Sequence, residues 1–286
     1  MNEKLAKLPR MAAIHDISGF GKCSLTVALP IISAAGVECS CIPTALLSTH
    51  TGVFTDWTFH DLSDNIVPIA KHWNKLGIKF DGIYSGYLAS EAQGDLLMQA
   101  IRLLADENTM VIVDPAMADN GRYYANLDSR MNECFKKLIM NADVITPNIT
   151  EACFLTDTEY SAPPYSREFI DGLLERLSVL GPKIVAITGV RTEDGKVGIF
   201  ARDNETGKCC EAVSEAIEGV FHGSGDVFAS AFSALLVRGY ETENALNIAE
   251  ELVMKSIERT AMRGTPTHYG LDFEGVLPEF IRLLEN

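Results

Sequence analysis

The chain has 286 residues, 47% hydrophobic and 22% charged, a balance that buries a sizeable core and argues against disorder. Its formal net charge of -15 offers no basic face to a nucleic acid, although backbone donors and a metal ion can still hold a nucleotide locally. The N-terminal stretch MNEKLAKLPRMAAIHDISG lacks an apolar signal core, and no run approaches about 18 apolar residues, so the sequence reads as soluble and cytoplasmic.

Short apolar runs predict buried strands at Met11–Ile14, Val37–Thr44, Gly82–Ser85, Met110–Val113, Val144–Thr146 and Lys183–Thr188. Helical patterns fall between most of them, at Ser24–Ala35, Glu91–Ala105, Ser129–Met140 and Arg167–Leu180. Pro163-Pro164 reads as a loop before the last of these. Beyond Thr188 the rhythm changes. Val197–Ala201 and Lys208–Ser214 form a predicted hairpin, and helices follow at Gly225–Arg238, Thr242–Arg263 and Phe273–Leu284. Strands alternating with helices predict a mostly parallel sheet. With no linker or repeat, residues 1–286 read as a single domain. Seven cysteines, an odd number with no C-x-x-C pair, read as free thiols of a reducing compartment.

Ligands of open parallel sheets bind beyond the carboxyl ends of the strands, and the polar residues cluster there. Asp16 follows the first strand. Asp114-Pro115 and Asp119 follow the fourth, and Thr146-Pro147-Asn148 with Glu151 follows the fifth. Oxygen-bearing side chains of this kind suit Mg²⁺, which keeps waters and takes one or two carboxylates besides substrate phosphates. In His222-Gly223-Ser224-Gly225-Asp226, two glycines flank Ser224 where a helix begins. Such a turn gathers backbone amides around an anion, with Asp226 placed to take a proton from an attacking hydroxyl. A plain helix cap is the structural alternative for the turn alone. Ser18-Gly19-Phe20-Gly21-Lys22 lacks the Walker spacing, so it reads as a turn beside a ligand with Lys22 solvated. His50 reads as structural, and Tyr87 either packs or stacks on a flat ring.

Taken together, these motifs resemble the ribokinase superfamily, and most closely its pyridoxal kinase branch, over nearly the whole chain. Gly223-Ser224-Gly225-Asp226 is similar to the G-x-G-D motif of that superfamily, and Ser48-Thr49-His50-Thr51-Gly52 to S-N-H-T-G. Ser85-Gly86-Tyr87 resembles S/T-G-Y, Asp114 to Asp119 resembles D-P-V-x-G-D, and Thr146 to Glu151 resembles T/A-P-N-x-x-E. The resemblance implies a ribokinase-like three-layer α/β/α sandwich with a mostly parallel central sheet. It implies Asp226 as base, with the amides of Gly223, Ser224 and Gly225 holding the transferred phosphoryl group. Asp114, Asp119 and Glu151 would serve Mg²⁺. Asp114, Thr146, Asn148, Glu151, Thr188 and Gly189 would serve ATP, and Asp16, Thr51 and Tyr87 the vitamin ring.

The implied reaction is ATP-dependent phosphorylation of the 5′-hydroxymethyl group of pyridoxal, pyridoxine or pyridoxamine, by a homodimer, with a monovalent cation requirement left open. Departures are Asp16 where many pyridoxal kinases carry Ser, Thr49 for Asn, and Ser224 for Thr or Val. An acidic residue at position 16 is also similar to the hydroxymethylpyrimidine kinases, so a hydroxymethylpyrimidine (phosphate) kinase is the alternative. A non-catalytic ligand sensor is a third reading. It would be expected to lose its base or metal carboxylates, and here Asp226, Asp114 and Glu151 are all present.

Overall fold

The computed structural model describes residues 7–284. The first six residues, on which part of the N-terminal reading rests, lie outside them, as do the last two. Chain order begins β1 (Arg10–Ser18), α1 (Leu25–Ala34), β2 (Glu38–Leu47), β3 (Phe59–Asp61), α2 (Ser63–Lys75), β4 (Gly82–Ser85), α3 (Glu91–Leu104) and β5 (Met110–Val113). It continues through β6 (Ala118–Asp119), β7 (Arg122–Tyr123), α4 (Arg130–Ile139), β8 (Val144–Ile145), α5 (Ile149–Leu155) and α6 (Arg167–Ser178). The last elements are β9 (Ile184–Arg191), β10 (Lys196–Asp203), β11 (Cys209–Glu215), α7 (Ser224–Val237), α8 (Thr242–Arg263) and α9 (Leu277–Leu283).

Nine strands form one sheet in the order β11-β10-β9-β8-β5-β4-β1-β2-β3, and β6 and β7 pair separately. The six strands from β9 to β2 run parallel, while β3, β10 and β11 are antiparallel edges. Strands covered on both faces need continuous apolar side chains, and Gly82–Ser85 is buried at every position. One face carries α1, α7 and α8, packed on Met11, Tyr84 and Ile112; the other carries α2 to α6, packed on Ile14, Ile83 and Val113. This is the three-layer α/β/α sandwich that the family resemblance implied. From β1 the chain moves to β2 on one side, then returns to β4 on the other. That reversal opens a crevice at the carboxyl ends of the parallel strands.

The sequence patterns missed α2, α5 and the short strands β3, β6 and β7. Pro68 lies inside α2 and removes a backbone donor there, so the stretch lacks an uninterrupted helical signal. The predicted helix Phe273–Leu284 begins only at Leu277, because Phe273 to Val276 close a turn through Val276 N–H to the Phe273 carbonyl. Strands β1, β2 and β9 run three to four residues past their predicted carboxyl ends, so Asp16 and Gly189 lie within strands. All seven cysteines are free. Among the described residues no helix is long and apolar enough to cross a membrane.

Candidate active site

Each residue singled out above for chemistry lines one cavity of about 430 Å³ in that crevice. The anion turn comes first, because backbone builds it. Gly223 adopts φ +82°, and a Cβ there would lie 2.4 Å from the Lys22 carbonyl oxygen, so only glycine fits. The first bond of α7 runs from Val227 N–H to the Gly223 carbonyl at 3.0 Å. The amides of Ser224, Gly225 and Asp226 precede it and have no helical acceptor, which leaves a positive N-terminus facing the cavity. Behind it α7 is buried continuously from Val227 to Leu236, and Phe228 stacks on Phe232 at 5.2 Å. Burying each such ring contributes about 1.5–3 kcal/mol, so the turn rests on a fixed helix.

Asp226 occupies the first turn of α7. Burial pushes its carboxyl up to about 7 and the charge of Asp16 adds to this, against hydrogen bonds from the Ser24 backbone and the Cys23 thiol. Asp114, at the end of β5, is raised well above the carboxylate range by burial, then by the charges of Glu151 and Asp226. Glu151 is raised mainly by burial, although it accepts N–H bonds from Met117 (3.0 Å), Ala118 (3.4 Å) and Asn148 (2.9 Å). Asn148 returns the favour as a capping box: its Oδ1 accepts from Glu151 N–H at 3.0 Å, and its Nδ2 donates to the Ala118 carbonyl at 2.8 Å. Asp119 stands at the exposed rim, accepting from the Asn120 backbone and side chain.

These donors fit a hard cation. Thr146 Oγ1 is buried without a partner just past β8, the strand beside β5, and every donor is oxygen. Among the described residues, no group of three or more His, Cys, Asp or Glu side chains forms a metal cage. The arrangement therefore suits Mg²⁺ held by one or two carboxylates with waters and phosphates.

At the other end, Asp16 accepts from Ser18 Oγ at 3.0 Å, and burial favours its protonated form. Thr51 and Tyr87 line the same end. His50 lines this end of the cavity and is held by two hydrogen bonds. Its Nε2 pairs with the His268 carbonyl at 2.8 Å and its Nδ1 accepts from Gly52 N–H, so the proton resides on Nε2. Lys22 is not solvated as expected: its ammonium donates to the Leu271 carbonyl (2.9 Å) and pairs with Glu274 (2.7 Å), pinning the first turn to the C-terminal segment. Sequence reasoning also missed His222, which stacks on His50 at 5.2 Å, and Arg191, which lines the cavity from the end of β9. Neither was assigned a role: His222 stands just before the glycine turn, and Arg191 sits in no motif. Thr188 is set by its N–H bond to the Pro147 carbonyl at 2.9 Å. Beyond it the cavity turns apolar, with Val197, Ile199, Val220, Val253 and Ile257 on its walls.

A parallel sheet with a switch point, an amide-lined helix start and buried carboxylates facing it define the class: a ribokinase-like kinase. The family model for phosphomethylpyrimidine kinase matches residues 29–270, and the chain belongs to that family. A Bacteroides thetaiotaomicron protein, provisionally named a phosphomethylpyrimidine kinase, is 34% identical with a TM-score of 0.91, covering 97% of this chain and 96% of that one. A second crystal form of it, described as containing pyridoxal, gives 33% identity and a TM-score of 0.89, covering 98% and 96%. Pyridoxal kinase from Lactobacillus plantarum gives 28% and 0.87, covering 98% and 99%. Among curated relatives, a pyridoxal kinase of Granulibacter bethesdensis is 26% identical over 80% of this chain and 82% of its own.

Proposed function

We propose that this chain uses ATP to phosphorylate the hydroxymethyl group of a small nitrogen heterocycle. The observation that carries the reading is the meeting of Asp226 and three unpaired helix amides with Asp114 and Glu151 in one cavity. Adenine packs on the apolar walls near Val197, Ile199 and Val253. The phosphates run past Thr188 and Gly189 toward the Gly223–Gly225 turn. Asp226 accepts the proton of the substrate hydroxyl as its oxygen attacks the γ-phosphorus, and ADP leaves. The turn amides hold the charge on the transferred phosphoryl oxygens, so most of the catalysis is positioning and electrostatics. Mg²⁺, when bound near Asp114, Thr146 and Asp119, supplies neutralisation of the phosphate charge. Glu151, with both oxygens occupied by backbone N–H groups, orders the loop after β5 and would serve a bound ion only indirectly.

The sequence alone favours pyridoxal and its congeners, but the weight moves toward the pyrimidine alternative. The family and the two structures at 33–34% identity carry the phosphomethylpyrimidine name. Asp16 supports the same choice. Its carboxyl oxygens are hydrogen-bond acceptors at that end of the cavity, the complement of an amino group on the ring. Vitamin B6 is the second reading, favoured by the pyridoxal described in the Bacteroides crystal and by the curated relatives named pyridoxal kinases. A homodimer belongs to the same proposal, and sedimentation equilibrium reads it.

The deciding experiment is a coupled ADP-release assay with hydroxymethylpyrimidine, its phosphate, pyridoxal, pyridoxine and pyridoxamine. A pyrimidine kcat/KM at least about tenfold above every vitamer sustains the first reading, since about 1.4 kcal/mol separates the two. The reverse order selects vitamin B6 salvage. Tight ligand binding without turnover would instead identify a sensor.

A further inference from the structure

We propose that Arg191 is the side chain that grips the phosphates of the nucleotide, an inference that rests on the ATP reading of the cavity. The cavity is lined by six carboxylates, those of Asp16, Asp114, Asp119, Glu151, Asp226 and Glu250. A polyanion entering such a space needs a fixed positive partner besides helix amides and Mg²⁺. Among the described lining residues Arg191 is the only lysine or arginine. Lys22, the cation nearest the first glycine turn, is committed to Glu274 and the Leu271 carbonyl. His50 and His222 also face the space, but burial lowers the pKa of both and favours their neutral forms.

Arg191 is placed for the role. It ends β9 two residues past Gly189 and pairs with Val197 of β10, on the apolar side of the cavity. Its guanidinium is in no ion pair among the described residues, in a chain with 39 acidic and 24 basic side chains. Its guanidinium makes one long bond, Nη2 to the Gly219 carbonyl at 3.4 Å, and the residue is exposed. Gly219 belongs to the 216–222 segment, which leads directly into Gly223. The transferred phosphoryl group lies at the Gly223–Gly225 amides and adenine at the apolar wall, so the remaining phosphates pass between them, beside Arg191. A guanidinium presents a planar fork of donors to two phosphate oxygens, which an ammonium cannot copy. On nucleotide entry Arg191 exchanges the Gly219 carbonyl for phosphate oxygens and draws the 216–222 segment with it.

The test is calorimetric binding of adenosine, ADP and ATP, with Mg²⁺, to the wild type, Arg191→Ala and Arg191→Lys. The Ala variant should bind ADP and ATP about 10- to 100-fold more weakly, the loss of a charge-assisted bidentate contact, with adenosine changed less than about twofold. The Lys variant should recover part of the loss. Unchanged ADP and ATP affinity would overturn the proposal. So would an equal loss for adenosine, which would make Arg191 a strap for the 216–222 segment and nothing more. A wild type that binds no nucleotide at all would overturn the ATP reading itself, and this inference with it.

Discussion

At Asp226 the requirements of chemistry and of folding pull in opposite directions. A base must be ionised, yet burial and the Asp16 charge bring this carboxyl up to about 7. As general base it works only deprotonated, so kcat/KM should rise with pH and level off above a midpoint near 7. Asp226→Asn should lower kcat by about 10²–10⁴-fold, the usual worth of a positioned base, while calorimetric ATP affinity stays nearly unchanged. Wild-type turnover in that variant would remove Asp226 from the mechanism. Gly223→Ala tests the amide cradle. At φ +82° a side chain is strained by about 1–3 kcal/mol, and the Lys22 carbonyl 2.4 Å away forces the turn to move. Urea unfolding should show that loss, and turnover should fall with it because the amides no longer converge.

Among the elements, α5 shows how one short helix organises several groups. Asn148 caps it, accepts from Glu151 N–H, and ties the loop after β5 through the Ala118 carbonyl. Asn148→Ala should cost about 0.5–2 kcal/mol in urea unfolding from the lost cap. Turnover should fall further than the stability loss explains, since the Glu151 N–H loses Asn148 Oδ1 and the loop after β5 loses its tie from Asn148 Nδ2. The motif Thr146-Pro147-Asn148 with Glu151 was legible as a functional unit, but α5 itself was not. Its seven residues are too short to display a helical period, and its stability comes from the cap and the packing of α4 and α6. The long helix α8 shows the opposite case. Thr242–Arg263 was read to the residue, because a 22-residue pattern ending on Gly264 in the left-handed region carries its own boundary signals.

For the whole molecule, acidic groups gathered at one sheet edge make stability depend on pH in an unusual direction. A carboxyl whose pKa rises on folding contributes stability below its unfolded value of 3.8, and that contribution is lost as pH rises through about 7. Asp226→Asn removes the buried charge. Its Tm should match the wild type near about pH 4 and exceed it by about pH 8. Scanning calorimetry across that range checks the sign; a variant less stable than the wild type at the upper end would contradict it. Such a variant would trade catalysis for stability, as expected where function holds a charge in an unfavourable place.

The order of elements and the identity of the polar residues could be read from sequence, because buried parallel strands need continuous apolar runs and their carboxyl ends carry the exposed polar loops. Asp16, Asp114, Glu151 and Asp226 were recognisable one by one, and their motifs pointed to phosphoryl transfer. Their convergence could not be read, since it follows from the reversal of strand order between β1 and β4, a property of long-range pairing. The same holds for Lys22, tied across the fold to Glu274, and for Arg191, which enters the cavity from the end of β9 with no motif of its own. The turn at Gly223–Asp226 is the clearest division of labour. Local chemistry makes it a helix start, and the neighbouring carboxylates brought in by the sheet turn that helix start into the proposed site of phosphoryl transfer.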